Sequence, residues 1–238
     1  MKLLKQIQTI DLSNIAHWYQ PIYQLNTGEI HGYEALLRNK SSNRLSPLDI
    51  FKQVAQEGKK AYLDSYLLFQ AVNSVSYVCN HTLFLNVFPS TLFEKWFLPW
   101  WNEHIATPAH LVIEISESEP VNDWTTLKSV INQLRMRGAK IAVDDMGSGY
   151  SFFQHWVELN PDYIKLDCYY AAGLAENSLK QRIIEHFTKL FDDNSIIILE
   201  GIETEKDLNT AKQLGISYAQ GYLLGRPTPL EESFCTKL

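Results

Sequence analysis

Cysteine is scarce in this chain, and an excess of positive charge and long apolar runs are both missing. The three cysteines, Cys79, Cys168 and Cys235, stand far apart with no CxxC pair. That spacing excludes a disulfide framework and a thiolate metal site, and it points to a reduced, cytoplasmic protein. No stretch approaches the roughly 18 apolar residues that cross a bilayer. The opening MKLLKQIQTIDLSN lacks the long apolar region of a secretion signal, so a membrane signal, or any other input, would have to come from a separate sensory or protein partner. Lys and Arg number 21 against 27 Asp and Glu, a net charge of −6. Non-specific binding to DNA or RNA needs a basic footprint, so nucleic-acid polymers are excluded as partners. A small phosphorylated ligand is not excluded, because bound cations reverse the local potential. Fixed-period repeats, low-complexity tracts and linkers are also absent from the sequence. One domain over 1–238 is expected, with its core at about 17–230 and short extensions at both ends.

What is present is a globular composition, 45% hydrophobic and 20% charged, enough for a sizeable core. Residues 17–25 and 30–38 read as strands around Asn26-Thr27-Gly28-Glu29, a polar link whose glycine accepts positive φ. Strands joined so tightly pair antiparallel. Pro47 opens a helix that stops near Gly58, and a second helix is expected from Ala61 to about Tyr77. The buried strand TLFLNVFP precedes a helix from Ser90 to about Asn102, whose Phe93, Trp96, Phe97, Trp100 and Trp101 suit core packing. Strand and helix then alternate. The strands are HLVIEIS, AKIAVDD, DYIKLD, SIIILEG and YAQGYLLG, and helices are expected over 122–137, 174–192 and 204–213 with a short one after AKIAVDD.

These runs make eight candidate strands. Near-continuous apolar stretches such as LVIEI suit strands covered on both faces, and repeated βα units imply parallel neighbours. An α/β fold follows: a closed (β/α)8-type barrel whose first strand is antiparallel and entered through the hairpin. An open doubly wound sheet is the competing architecture.

The ends of these runs carry the chemistry: Glu34, Asn86, Glu114 with Glu117, Asp144 with Asp145, Lys165 with Asp167, Glu200 with Glu203, and Gln220. In a barrel those ends share the mouth that carries active sites. A single carboxylate at a strand end is ordinarily a helix cap or a solvated loop group. So many converging acids repel one another unless a cation compensates. The candidate ligands Glu34, Asn86, Glu114, Asp144, Asp145 and Glu200 are all oxygen donors, which disfavours zinc and suits Mg²⁺ or Mn²⁺. Two such ions clamp an in-line displacement at phosphorus, so the pattern reads as metal-assisted phosphodiester hydrolysis. Paired carboxylates acting on a carbohydrate without metal are the competing chemistry. Lys165 and Asp167 share a strand face at i and i+2, so the amine either serves the attacking water or a phosphate, or closes a core ion pair. Arg38 offers a planar fork for a phosphate, or a surface ion pair. In DDMGSGYS, Gly147 and Gly149 suit a sharply bending loop that carries the two adjacent acids.

Taken together the motifs resemble the EAL family of cyclic di-GMP phosphodiesterases. The run Tyr33-Glu34-Ala35-Leu36-Leu37-Arg38 is similar to that family's signature. Tyr19-Gln20-Pro21-Ile22, Leu85-Asn86, Glu114-Ile115-Ser116-Glu117, the DDMGSGYS loop, Ile164-Lys165-Leu166-Asp167, Glu200-Gly201-Ile202-Glu203-Thr204 and Gln220-Gly221-Tyr222 accompany it in family order. The resemblance implies a modified TIM-like barrel, hydrolysis of cyclic di-GMP to linear pGpG, Mg²⁺ or Mn²⁺ with two ions in the active state, and a homodimer. It implies metal ligation by Glu34, Asn86, Glu114, Asp144, Asp145 and Glu200, and a base or water-orienting role for Lys165. Gln20, Arg38 and Gln220 match substrate-side positions, Asp167 and Glu203 supporting ones, and Glu117 the glutamate that holds the glycine-containing loop. Met146 departs from the family's phenylalanine, and Phe152-Phe153 follow where small or polar residues are common. Relatives that lack the acids bind cyclic di-GMP or a protein instead of hydrolysing it, and such a module is the alternative. The other class of cyclic di-GMP hydrolase uses a His-Asp pair, and this chain has no HD dipeptide.

Overall fold

The computed structural model describes residues 7, 12–40, 46–74, 81–105, 110–116, 118–146, 153–191 and 195–230. Its organising element is the hairpin. β1 (Ile15–Gln24) and β2 (Glu29–Asn39) pair antiparallel from Ile15↔Asn39 to Gln24↔Glu29, and Gly28 takes φ 72° at the turn. β3 (Thr82–Val87), β4 (Leu111–Ile115), β5 (Lys140–Met146), β6 (Tyr163–Leu166), β7 (Ile196–Leu199) and β8 (Tyr218–Ala219) then add in order, each parallel to the one before. β8 returns to β1 antiparallel through Tyr23↔Ala219 and closes the ring. The closed barrel therefore prevails over the open sheet, and β1 is antiparallel to both its neighbours.

The helices are α1 (Pro47–Gln56), α2 (Lys60–Ser74), α3 (Pro89–Leu92), α4 (Phe97–His104), α5 (Trp124–Met136), α6 (Phe153–Leu159), α7 (Cys168–Ala171), α8 (Ser178–Phe191) and α9 (Glu205–Gln213). Several starts are chemically fixed. Ser46 and Asp49 form a capping box around Pro47, while Asp123 and Thr204 accept from the backbone N–H groups of Thr126 and Asp207. Helix and outer sheet faces bury two large apolar clusters, one around Leu83, Leu111, Trp101 and Leu134 and one around Ile164, Leu199, Ile184 and Ala211.

Three sequence expectations change. The single helix expected over Ser90–Asn102 is two, α3 and α4, because Pro99 lacks an N–H and its ring would clash with the carbonyl four residues back. The second helix restarts at Phe97 and so holds Pro99 in its first turn, where no donor is needed; Phe97, Trp100 and Trp101 are buried as expected. The helix expected from 174 begins instead at Ser178, after a 3₁₀ turn at Leu174–Glu176, because Asn177 Oδ1 accepts from Leu179 N and Lys180 N. The strand expected over YAQGYLLG stops at Ala219, and the chain regains β1 only at the short β9 (Thr228–Pro229). At the break, a side chain on Gly221 would meet Ile202 O at 2.1 Å and Ile202 N at 2.3 Å, so the backbone approaches as only glycine allows. The expected end of the second helix near Tyr77 lies outside the described residues. Among the described residues no helix is long and apolar enough to cross a membrane.

Candidate active site

Strand parity builds the site. The barrel interior holds an apolar cluster of Ile22, Phe84, Val112, Ala142, Tyr163 and Ile198, with Tyr218 packed against it. Two residues further toward the mouth stand Gln20, Asn86, Glu114, Asp144 and Lys165 on those strands, and Glu200 and Gln220 one residue past the ends of β7 and β8; Glu34 follows Gly32 on β2 in the same way. Side chains alternate along a strand, so each of these points inward with the apolar residue beneath it.

At the centre is Lys165, 1% exposed. Its Nζ lies 3.2 Å from Glu34 Oε2, 3.1 Å from Glu114 Oε1, 3.0 Å from Asp144 Oδ1 and 2.7 Å from Glu200 Oε1. Asn86 Nδ2 donates to Glu34 Oε1 at 3.0 Å and Gln220 Nε2 to Glu34 Oε2 at 2.8 Å, so both Glu34 oxygens are held. Gln20 Nε2 donates to Gly225 O at 3.0 Å and pins the segment that carries Gln220.

The charges are unequal in fate. Burial alone would raise Glu34, but Lys165 and the two amide donors outweigh it and hold the carboxyl below its ordinary value. Burial drives Glu114 and Glu200 well above theirs; Lys165 opposes the rise and the neighbouring acids reinforce it. Asp144 is raised by burial too. Burial disfavours the Lys165 ammonium, yet the four surrounding carboxyls prevail and hold its proton well above the usual lysine range. One monovalent cation thus serves four acids, and three of them are raised above their ordinary values.

Asp145 reaches the same place by breaking the parity rule. Consecutive residues of a regular strand face opposite sides. The β5–β6 register shifts between Val143 and Met146, and Asp145 sits at φ 45°, a strained region for a residue with a side chain. The bulge brings ligand oxygens of Asp144, Asp145 and Glu200 within 4.8 Å of one another. Burial and the neighbouring Asp144 push the Asp145 carboxyl up to about 6, opposed by its hydrogen bond with Glu200. Met146 is buried beyond the bulge, in the apolar cluster that includes Ile164 and Leu166.

The residues fit a hard divalent cation. Glu114 is fully buried and its Oε2 accepts no hydrogen bond, while its Oε1 and Asp144 Oδ1 face only the one Lys165 ammonium, which Glu34 and Glu200 share. Buried oxygens with too few donors, in an all-oxygen set, are what Mg²⁺ or Mn²⁺ ligation requires.

The other sequence-predicted residues fall as follows. Asp167 is the N-cap of α7, accepting from Tyr169 N at 2.6 Å, because β6 ends at Leu166; of the two alternatives for Lys165, an ion pair with Asp167 does not form, and the amine makes the four contacts above. Arg38 lines the cleft and donates from Nη1 to Leu37 O. Glu203 is an exposed residue of the same wall. Glu117, Gly147 and Gly149 lie outside the described residues. The cleft itself has a volume of about 610 Å³ and is lined by Glu34, Asp144, Asp145 and Glu200 together with Leu37, Leu48, Phe51 and Leu67. That size and mixed lining suit a small organic ligand.

Sequence reasoning missed Asp64, which is 3% exposed on α2 and also lines the cleft. A signal was available: Asp64 shares the helix face of Leu67, Leu68 and Ala71, where an acid is out of place.

With this geometry in view, comparison with known proteins is specific. The family model described as "EAL domain" matches residues 5–227. A relative from Escherichia coli (strain K12), the probable cyclic di-GMP phosphodiesterase PdeA, is 27% identical over 97% of this chain and 33% of its own length. The chain therefore spans about a third of that curated relative. Among solved structures, the PaMucR phosphodiesterase in complex with c-di-GMP aligns with TM-score 0.82 and 25% identity over 98% of this chain and all of that one. Klebsiella pneumoniae BlrP1, in its manganese and cyclic di-GMP complex, aligns with TM-score 0.82 and 25% identity over 92% of this chain and 57% of that chain.

Proposed function

The chain belongs to the EAL domain family, and from that premise we propose that it is a metal-dependent phosphodiesterase that hydrolyses cyclic di-GMP to linear pGpG. The observation that carries the reading is the convergence of Glu34, Glu114, Asp144 and Glu200 on one buried Lys165, with a Glu114 Oε2 that no donor satisfies. Glu34, Asn86, Glu114, Asp144, Asp145 and Glu200 would hold Mg²⁺ or Mn²⁺, two ions in the active state. Such ions supply Lewis-acid charge at the phosphoryl oxygens and acidify the attacking water.

The chain's own residues do the rest. Asn86 and Gln220 fix the orientation of Glu34, which keeps its lone pairs aimed into the mouth. Lys165 holds its proton because four carboxyls face it. Once those carboxyls are otherwise neutralised, burial becomes the larger influence and the amine is able to take or orient the proton of water. Arg38, on the cleft wall, offers its fork to a phosphate of the ligand. The apolar wall of Leu48, Phe51 and Leu67 excludes water beside it.

A cytoplasmic site of action belongs to the same reading, supported by three cysteines set far apart with no CxxC pair. The expected homodimer has a candidate face where α6 meets α8 through Phe153 and Phe187, beside exposed Val157, Leu179 and Leu190.

The test is hydrolysis of cyclic di-GMP with Mg²⁺ or Mn²⁺, with chelator, and with Glu34→Ala. Linear pGpG that appears only with metal and wild-type protein supports the proposal. Tight binding of cyclic di-GMP without metal-dependent product would sink it in favour of a binding module.

A further inference from the structure

Asp64 and Lys60 lie one turn apart on α2 and hold Phe88 and Thr91, and Ser90 through Glu119, in the segment that follows β3. Asp64 Oδ2 accepts from Phe88 N at 3.0 Å and from the Thr91 hydroxyl at 2.6 Å, and Thr91 is fully buried. Lys60 Nζ pairs with Glu119 Oε1 at 2.5 Å, and Glu119 Oε2 accepts from Ser90 N at 3.1 Å. The same ammonium lies 3.3 Å from the centroid of the Phe88 ring. Phe88 is two residues past Asn86, and Glu119 is in the loop that leaves β4 shortly after Glu114. One helix turn therefore ties together the chain leaving β3 and the chain leaving β4. These two strands already pair through Asn86↔Glu114.

An acid is a costly choice for this task. Burial pushes the Asp64 carboxyl up to about 7, against the pull of Thr91, Phe88 N and Lys60. A neutral side chain would satisfy the same donors with no charge to bury. What the Asp64–Lys60 arrangement adds is stiffness, because charge-assisted bonds are shorter and more directional than neutral ones.

We propose that Asp64 and Lys60 form a clamp that positions Asn86 and Glu114 for divalent-cation binding, so that they are positioning residues of the metal site although they touch no reacting group. This rests on the metal-dependent reading above. Groups that orient metal ligands from behind are worth about tenfold or more in metal affinity.

The test is calorimetric titration of Mn²⁺ alone into wild type, Asp64→Ala, Asp64→Asn and Lys60→Met, well below each unfolding midpoint. Ile184→Ala, a cavity in the apolar cluster around α8 and β7, serves as a control for lost stability without a lost clamp. The expected result is Mn²⁺ affinity about tenfold weaker in Asp64→Ala, weaker in Lys60→Met, intermediate between wild type and Asp64→Ala in Asp64→Asn, which keeps the acceptor without the charge, and unchanged in Ile184→Ala. Should Asp64→Ala not fold, Lys60→Met alone decides. Wild-type affinity in the clamp variants, or equal weakening in Ile184→Ala, overturns the clamp. Equal Mn²⁺ binding by wild type and Glu114→Gln would instead overturn the metal reading and take the clamp with it.

Discussion

Replacing Lys165 by methionine keeps the length and apolar stem of the side chain and removes only the charge and its donors. An ammonium about 3 Å from an ionised carboxylate gains roughly 5 kcal/mol at an effective dielectric near 20. Glu34, held below its ordinary value, is one such partner throughout the neutral range. Against this stands the desolvation of a lysine with 1% exposure. Breaking a buried pair of this kind costs about 3–5 kcal/mol. For a chain of this size that is on the order of 10 °C in Tm. The loss should depend on pH. In wild type the lowered Glu34 contributes stability above its unfolded value, lost as pH falls through the folded one. In the variant its carboxyl must take a proton or remain buried and unpaired, so the deficit grows from pH 5 to pH 8. Urea unfolding in chelator at both values measures this, and adding Mn²⁺ should recover more stability in the variant than in wild type. A deficit below about 1 kcal/mol that is equal at both pH values would refute the reasoning.

Asp64→Asn should flatten the stability curve. The folded carboxyl titrates near 7 against an ordinary 3.8, so wild type loses stability as pH rises through that window, on the order of 4 kcal/mol in all; parallel wild-type and variant curves would contradict this. Gly221→Ala forces a methyl onto the Ile202 backbone and should cost about 1–3 kcal/mol, with Gln220 losing its aim at Glu34; an unchanged urea midpoint would count against the close approach. Glu114→Gln removes a carboxyl whose proton is held well above its ordinary range, so metal-free stability at pH 8 should equal or exceed wild type while the Mn²⁺-induced rise in Tm disappears. A Tm rise with Mn²⁺ as large as wild type's would remove Glu114 from the ligand set.

Much of the barrel is legible because its signals are local. Asn26-Thr27-Gly28-Glu29 between two strand-like runs dictates a hairpin, and the apolar runs LVIEI and SIIIL dictate covered strands. The site acids are legible for a related reason: each ends an apolar run, and alternation carries Glu34, Asn86, Glu114, Asp144 and Glu200 inward together. What escapes is whatever depends on contact between distant segments. Pro99 could have warned that one helix would become two, but the truncation of the last strand follows from Gly221 meeting Ile202, which no local pattern encodes. Lys165 and Asp167 share a parity, yet only Lys165 belongs to the site, because the strand ends at Leu166 and Asp167 turns to cap α7. Asp64 was visible as an acid on an apolar face, but its partners Phe88 and Thr91 lie more than twenty residues away.

Parity also explains why the departure at Met146 falls where it does. A regular strand delivers one inward oxygen per turn of the pleat, which suits a ring of single ligands but not two acids at one point. The bulge at Asp144–Asp145 supplies the second at the cost of a positive φ, a strain on the order of 1–3 kcal/mol. Such a bulge persists only if the chain is held on both sides. Before it, Val143 is paired with Ile164; after it, Met146 is paired with Leu166 and buried in the apolar cluster that also holds Ala171 and Ile202. An aromatic side chain would fill that space with one rigid shape. Methionine fills it with a flexible one and is itself buried, at 2% exposure. The residue that departs from the family motif is thus the anchor of the bulge and not a ligand, and its demand is for apolar volume, which Met146 meets without disturbing the carboxylates before it.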